Sequence, residues 1–225
     1  MQKIHPRPVR VIWPYDLVTS MVNTKVTIIA VAAVAAVTII GCVIAFNGEG
    51  HNSDSGTFIF SWGPGTSMSY DVGGGFTHSD SGYDAIYSLE GSTERHEITS
   101  ATESQFTFQR DAMIRETHTD PSTGETETET RHVTTTVDQD REFKYSDAMV
   151  STMDTKWGTK NVLVIKSVVT NAYGSKIDVT DYRDADTFIR YKADMTCDSY
   201  ISGSDTFNDW HMTYTLTDYN IVESE

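Results

Sequence analysis

A strict alternation of apolar and polar residues recurs in short runs through residues 57–225 and constrains the fold more than any other feature. In its clearest run the apolar side chains are Ile189, Tyr191, Ala193, Met195 and Cys197. Successive side chains of a β-strand point to opposite faces, so this pattern predicts strands buried on one face. Gly, Asn, Asp and Pro interrupt the runs, as is typical of turns between antiparallel strands.

The other runs extend this pattern over most of the chain. Their apolar positions are 58, 60 and 62; 68, 70 and 72; 83, 85, 87 and 89; 106, 108, 112 and 114; 133, 137, 143 and 145; and 212, 214 and 216. Arg110 breaks the apolar face of the fourth run, and only residues 144–158 could hold one or two helical turns. We therefore predict an all-β domain of about nine to eleven antiparallel strands, forming a strongly curved sheet or open barrel, with a sandwich as the alternative.

Two hairpins have recognisable turn chemistry. The stretch HTDPSTGETE places Asp120, Pro121 and Gly124 between Thr-rich strands, where proline presets φ and glycine accepts a positive φ. The stretch VTDYRDADTFIRYK places residues 184–187 between Tyr182 and Phe188. Both are predicted to connect neighbouring antiparallel strands.

A second constraint is an uncharged run of 21 residues that begins with Val26 and ends with Phe46. At about 1.5 Å per residue, a helix of this length spans about 30 Å, which is the thickness of a bilayer's hydrocarbon core. We predict one N-terminal transmembrane helix over residues 26–46, and hence a membrane partner for this segment.

Charges flanking this run set its expected orientation. Four basic residues precede it, whereas the first one after it is Arg95. The positive-inside rule then predicts a single-pass protein of the cell membrane with a cytoplasmic N-terminus and its C-terminal domain outside. The expected organisation is a tail over 1–25, the helix over 26–46, a flexible acidic stalk over 47–56 and a β-rich domain over 57–225, with Met21 as an alternative start.

Cys42 leaves the nature of the anchor open. The stretch Ile39-Ile40-Gly41-Cys42 is similar to a bacterial lipobox, yet the apolar run continues for four residues past the cysteine. We favour an uncleaved helix, because it uses the whole run to cross the membrane. Lipid attachment at Cys42 and ordinary signal cleavage are the alternatives.

Charge and cysteine content exclude several classes of function. Residues 47–225 hold 13 basic and 31 acidic side chains, and such a field repels nucleic acid. The two cysteines, Cys42 and Cys197, lie in different parts of the chain, so no disulfide is expected. Cys197 is predicted to be a small buried apolar residue. The sequence also lacks an Asn-x-Ser/Thr sequon.

The hairpin over residues 116–131 is the most distinctive acidic patch. If Asp120 lies opposite Glu125, then His118 lies opposite Glu127 and Glu116 lies opposite Glu129. Glu116, His118, Glu127 and Glu129 are the only metal-ligand candidates, since clustered carboxylates could take up Ca²⁺. A flat sheet face does not converge its ligands, so we favour an exposed hairpin whose charges prevent edge-to-edge aggregation, and predict no metal and no cofactor.

Residues 158–200, GTKNVLVIKSVVTNAYGSKIDVTDYRDADTFIRYKADMTCDSY, resemble the strand–turn–strand units of lipoprotein-carrier half-barrels. The chain also resembles uncharacterised membrane-anchored exported proteins of archaea. The first resemblance implies a concave apolar face that holds a lipid or hydrophobic ligand, and it assigns no role to any residue.

No catalytic residues can be assembled from the sequence. The stretch SDSG occurs twice near a histidine, but without the glycines and strand context of a nucleophile site, and the histidines lack zinc-ligand spacing. We therefore predict a non-enzymatic, membrane-anchored β-domain that binds an apolar ligand or lipid at the membrane surface. The alternative is a cell-surface structural or interaction domain with an unknown protein partner.

Overall fold

The predicted all-β antiparallel fold is confirmed by a computed structural model of the chain, which describes residues 54–80, 83–203 and 205–224. These residues contain no helix. The strands are β1 (Asp54–Ile59), β2 (Ser67–Asp80), β3 (Tyr83–Ser88), β4 (Ser92–Ala101), β5 (Gln105–Thr119), β6 (Thr126–Asp140), β7 (Glu142–Thr155), β8 (Gly158–Thr170), β9 (Lys176–Asp184), β10 (Arg190–Ser202) and β11 (Asp205–Asn220).

Several predictions fall outside the described residues. The N-terminal helix over residues 26–46, the start at Met21 and lipid attachment at Cys42 all concern this part of the chain. Within the described ranges, no helix is long and apolar enough to cross a membrane. Strand β1 begins at Asp54, inside the segment predicted to be a stalk.

The barrel is closed, whereas the sequence predicted an open one. Strands follow the order β7-β8-β9-β10-β11-β2, after which β3 and β4 both lie between β2 and β5, and β6 pairs with β5. Strand β6 runs through the single residue Arg141 into β7, so one long strand pairs with β5 in its first half and with β8 in its second. That continuity closes the ring.

Arg141 fixes the bend between β6 and β7. Its backbone N–H donates to Ser104 O at 2.9 Å, and its carbonyl accepts from Phe60 N–H at 2.9 Å. Its guanidinium also donates to the carbonyls of Thr102 at 2.6 Å and Phe60 at 3.0 Å. These partners lie 37 to 81 positions away in the chain, so the bend depends on contacts that the local sequence does not encode.

Glycines permit β2 to change partners along its length. Residues 67–72 of β2 pair with β4, and residues 75–80 pair with β3. Gly74 has a φ of 117°, and a Cβ there would lie 2.3 Å from the carbonyl oxygen of His211. A Cβ on Gly75 would lie 2.2 Å from the carbonyl oxygen of Tyr87. Only glycine allows β11, β2 and β3 to approach this closely.

Both predicted hairpins are confirmed, and residues 144–158, which could have held one or two helical turns, form no helix. Asp120 Oδ1 accepts the backbone N–H of Ser122 at 2.7 Å, and Gly124 has a φ of 73°. Asp184 Oδ1 caps the second turn by accepting the N–H of Thr187 at 2.7 Å. Residues 144–158 instead form β7 and its turn, because pairing with β1 and β8 overrides their local preference.

The alternating apolar side chains of residues 189–197 face the interior of the barrel, as predicted. Ile189, Tyr191, Ala193, Met195 and Cys197 are all buried. Cys197 is 6% exposed, and burial raises the pKa of its thiol. The predicted small apolar role of this cysteine therefore matches its surroundings.

Candidate functional site

Charged side chains lie among the apolar residues of the barrel interior. Alternation along β5 places Arg110 on the same buried face as Phe108 and Ala112. The buried charged residues comprise Glu94, Arg110, Glu116, Asp181, Arg183 and Asp184. Buried charge is costly unless it is paired, so the partners of these groups decide what the interior can do.

The first ion-pair cluster joins β4 and β5. Arg110 donates from Nε to Glu94 Oε1 at 2.5 Å and from Nη2 to Glu94 Oε2 at 2.6 Å. His96 Nε2 also contacts Glu94 Oε1. Burial alone would raise the pKa of Glu94, but the charges and hydrogen bonds of His96 and Arg110 hold it at about 2. This carboxylate is therefore ionised and fully engaged at neutral pH.

The second cluster joins β9 and β10. Arg190 donates to both oxygens of Asp181 at 2.9 Å, while Arg183 Nε donates to Oδ2 at 2.8 Å. Burial alone would raise the pKa of Asp181, and the two guanidiniums nevertheless keep it below its ordinary value. Burial lowers the pKa of Arg183, and the neighbouring Arg190 lowers it further against the opposing pull of Asp181. One carboxylate thus serves two cations.

Two tyrosines lie between the clusters. The Tyr70 ring centroid lies 5.4 Å from that of His96 and 5.9 Å from that of Tyr214. The Tyr214 hydroxyl donates to Glu94 Oε2 at 3.4 Å. Tyr70 is 3% exposed, and no hydrogen bond among the described residues uses its hydroxyl. Burial raises the pKa of Tyr70 to about 12, so this hydroxyl is a neutral donor at physiological pH.

A cavity of about 60 Å³ opens between these groups, and we call it the Arg cavity. Its polar walls come from Tyr70, His96, Gln139, Arg183 and Arg190. Its apolar walls come from Phe60, Trp62, Met68, Ile98, Phe106, Phe108 and Phe143. This volume has room for a few water molecules or one small polar group.

The groups around the Arg cavity carry an excess of positive charge. Arg183 and Arg190 line the cavity and share one carboxylate, Asp181, so these three groups leave one net positive charge. The whole chain carries a formal charge of −15. A buried cationic site in an acidic protein favours the binding of an anion, because guanidinium N–H groups already in position can replace its hydrogen bonds to water.

The four predicted metal-ligand candidates lie on one face, as the hairpin register predicted. Glu116 pairs with Glu129, and His118 pairs with Glu127. Within the described part of the chain, however, no group of three or more His, Cys, Asp or Glu side chains is arranged to hold a metal ion. The hairpin is exposed from Pro121 to Thr130, whereas Glu116 is buried.

Glu116 is the exception among the buried charges. Its Oε2 is buried without a hydrogen-bond partner among the described residues. Burial raises its pKa to about 7, with Glu129 adding to the shift and Arg131 opposing it. Arg131 binds Glu129 through both carboxylate oxygens, at 3.0 and 3.1 Å. The site residues chosen from sequence therefore contain one group with unusual acid–base behaviour.

Sequence reasoning missed the residues of the Arg cavity. Arg110 was noticed only as an interruption of an apolar run, although a charge in phase with four buried residues signals a buried ion pair. Asp181 and Arg183 lie in the buried phase of β9, but Arg190 lies in the polar phase of β10, and its contact with Asp181 depends on a bulge between Arg190 and Lys192. That bulge turns Arg190 onto the face of Arg183, and the sequence gives no sign of it.

Scans against protein-family models and searches of curated proteins and solved structures found no significant match to this chain. The site must therefore be interpreted from its own chemistry.

Proposed function

We propose that the barrel binds a small molecule with an anionic head group and an apolar body, with its head in the Arg cavity. The single observation that carries this proposal is the sharing of Asp181 by Arg183 and Arg190 beside an unpartnered tyrosine hydroxyl. A carboxylate head group would complete this set of donors, because its two oxygens match guanidinium geometry.

The walls of the cavity suit an apolar body. Phe60 lies 4.5 Å from Trp62 and 5.7 Å from Phe106, measured between ring centroids. Arg183 lies over the rings of Phe143 and Phe188 at 5.0 and 4.9 Å, so its cation is already held against aromatic faces. Aromatic side chains next to the arginines of the cavity favour an acid with an apolar body over a simple inorganic anion.

Volume restricts the size of the ligand. The enclosed 60 Å³ accepts a head group but not a long acyl chain, because the rest of the interior is filled by side chains of the domain itself. We therefore narrow the expected apolar ligand to a short-chain or aromatic carboxylic acid. Its body would lie at the open side of the same pocket, against the rings of Phe60 and Trp62.

We also propose that residues 26–46 hold this domain at the outer surface of the cell membrane. Support comes from the length of the uncharged run and from the basic residues that precede it. Ligands that partition into a membrane would then reach the domain at high local concentration. The domain is proposed to be a binding module and not an enzyme.

The test is calorimetric titration of the full chain in nanodiscs with benzoate, octanoate and their uncharged amides. We expect the acids to bind and the amides to bind at least roughly tenfold more weakly, because an amide lacks the charge that Arg183 and Arg190 can pair with. Inorganic phosphate and acetate show whether the head group alone is sufficient.

Matched variants locate the binding. Arg183→Gln and Tyr70→Phe each remove a donor that lines the cavity, so both should weaken binding of the acids. Tyr191→Phe is the control, since the Tyr191 hydroxyl donates to Asp184 at 2.7 Å and does not line the Arg cavity. Equal affinity for acids and amides, or a loss with Tyr191→Phe as large as with Tyr70→Phe, would contradict the proposal.

A further inference from the structure

Strand β6 presents a long unpaired edge. All fifteen of its residues pair with β5 in one continuous register from Thr126 to Asp140, without a bulge. Among residues 54–80, 83–203 and 205–224, no strand pairs with its other side. Long flat edges are uncommon in natural sheets because they expose a row of backbone donors and acceptors to other chains.

Hydrogen-bond parity identifies the exposed backbone groups. Asp120 N–H donates to Glu125 O at one end of the β5–β6 ladder, and Arg141 N–H donates to Ser104 O at 2.9 Å at the other. Both contacts join an even residue of the β5 side to an odd residue of the β6 side. Since bonded and non-bonded pairs alternate in an antiparallel ladder, the even residues of β6 direct N–H and C=O to the open edge.

The middle of this edge lacks the features that block pairing. Residues 132–137 read HVTTTV, with no acidic residue, lysine, arginine, proline or glycine. Five of these six residues are β-branched, which suits an extended strand. The acidic residues of β6 lie toward its two ends, at positions 127, 129, 138 and 140, and only the first two belong to the hairpin whose charges were predicted to prevent edge-to-edge aggregation.

We propose that this edge pairs with β6 of a second copy of the chain, antiparallel and centred near Thr134. In that register Arg131 lies opposite Val137 and Glu129 lies opposite Gln139. Registers centred on 133, 134 or 135 place no charged residue of 126–141 opposite a like charge. Self-pairing about a two-fold axis uses one surface on both copies and thereby closes the assembly as a dimer. The proposal is independent of ligand binding in the Arg cavity.

Sedimentation of the full chain in detergent micelles, over a range of concentrations, tests this dimer. Thr136→Pro removes an N–H that points to the open edge and leaves the ladder to β5 intact, since proline is tolerated on edge strands. Each copy loses one bond, so the dissociation constant should rise roughly tenfold or more. Thr136→Ala keeps the N–H and should leave the dissociation constant within about twofold.

Residue-resolved amide exchange supplies a second readout. The amides of Thr134 and Thr136 should become protected as the concentration rises, whereas those of Val133 and Thr135 should be protected in monomer and dimer alike. A chain that stays monomeric at all concentrations, or a dimer that Thr136→Pro leaves intact, overturns the proposal. Concentration-independent protection of the even amides would show that another segment of the same chain covers the edge, and would equally overturn it.

Discussion

Glu94 and Glu116 lie on neighbouring strands of one barrel and are buried to the same extent, at 3% and 4% exposure, yet their acid–base properties diverge. The pKa of Glu94 is about 2, and that of Glu116 is about 7. Glu94 meets a bidentate guanidinium and a histidine, whereas Glu116 faces Glu129 across the ladder and leaves one oxygen without a partner among the described residues. Burial by itself favours the protonated form of both groups, and their partners decide whether the pKa lies below or above its ordinary value.

The surroundings of the two carboxylates also differ in their balance of hydrogen-bond donors and acceptors. Around Glu94 the chain supplies an excess of donors, which favours an incoming anion. Around Glu116 the chain supplies an excess of acceptors, and a proton is the simplest partner that satisfies them. Each of the following predictions alters one side of this comparison.

The largest effect is expected for Arg110→Met. Removing the guanidinium leaves Glu94 buried with only His96 and the long hydrogen bond from Tyr214, so the free energy of unfolding should fall by about 3–5 kcal/mol. Urea unfolding at neutral pH measures the change. The matched control is Arg95→Met, because the Arg95–Glu97 pair is about half exposed and such pairs contribute about 0–1 kcal/mol. Equal losses for the two variants would remove the distinction between buried and exposed pairs.

Acid should destabilise the wild-type chain through Glu94. Its folded pKa lies below the ordinary value of 4.5, so the stabilisation is present above pH 4.5 and is lost as the pH falls toward 2. Protonation of Glu94 alone should lower the free energy of unfolding by up to about 3 kcal/mol across this pH range. In the Glu94→Gln/Arg110→Met double variant, the free energy of unfolding, measured with urea, should decrease less as the pH falls across this range. An unchanged decrease would assign acid unfolding to other carboxylates.

Glu116 should make the stability of the wild-type chain depend on pH in the opposite direction, and Glu116→Gln removes this dependence. The folded pKa of about 7 lies above 4.5, so between these values the folded chain binds more protons than the unfolded chain. Wild-type stability therefore falls as the pH rises through this window. The variant should be more stable than wild type by about 2 kcal/mol at pH 8 and nearly equal at pH 4.

A matched control for this variant is Glu127→Gln, which lies on the same face of the hairpin but is exposed. It should change stability little at either pH. If both variants stabilise the chain equally at pH 8, the gain comes from reducing overall negative charge and not from the buried carboxyl.

The smallest effect on stability is expected for Tyr70→Phe. The Tyr70 hydroxyl has no hydrogen-bond partner among the described residues, so its removal should change the free energy of unfolding by less than about 0.5 kcal/mol. Tyr191→Phe breaks a hydrogen bond to Asp184 and should cost about 1 kcal/mol. Thermal unfolding of the two variants compares them directly. A larger loss for Tyr70→Phe would indicate that its hydroxyl is structural.

Local patterns predicted much of this architecture. Alternation identified the strands and their buried faces, and turn residues identified the two hairpins. The register through Asp120 and Glu125 correctly placed Glu116 opposite Glu129. These predictions succeeded because each depends on residues close together in the chain.

The candidate site could not be found in the same way. Asp181 meets Arg190 only because a bulge turns one residue, and Arg110 meets Glu94 only because β4 and β5 pair in a particular register. Tyr70 reaches the same cavity from β2. No spacing in the chain encodes such a meeting of five strands.

The sequence alone determined the strand class, the inward faces, the main turns and the uncharged run at residues 26–46, because periodicity and composition act locally. Only the tertiary structure decided that β6 and β7 close a barrel through Arg141, that three arginines share two carboxylates, and that Glu116 lacks a hydrogen-bond partner for one oxygen among the described residues. Those outcomes depend on which distant groups replace water around a buried charge, and that is settled by packing across the sheet.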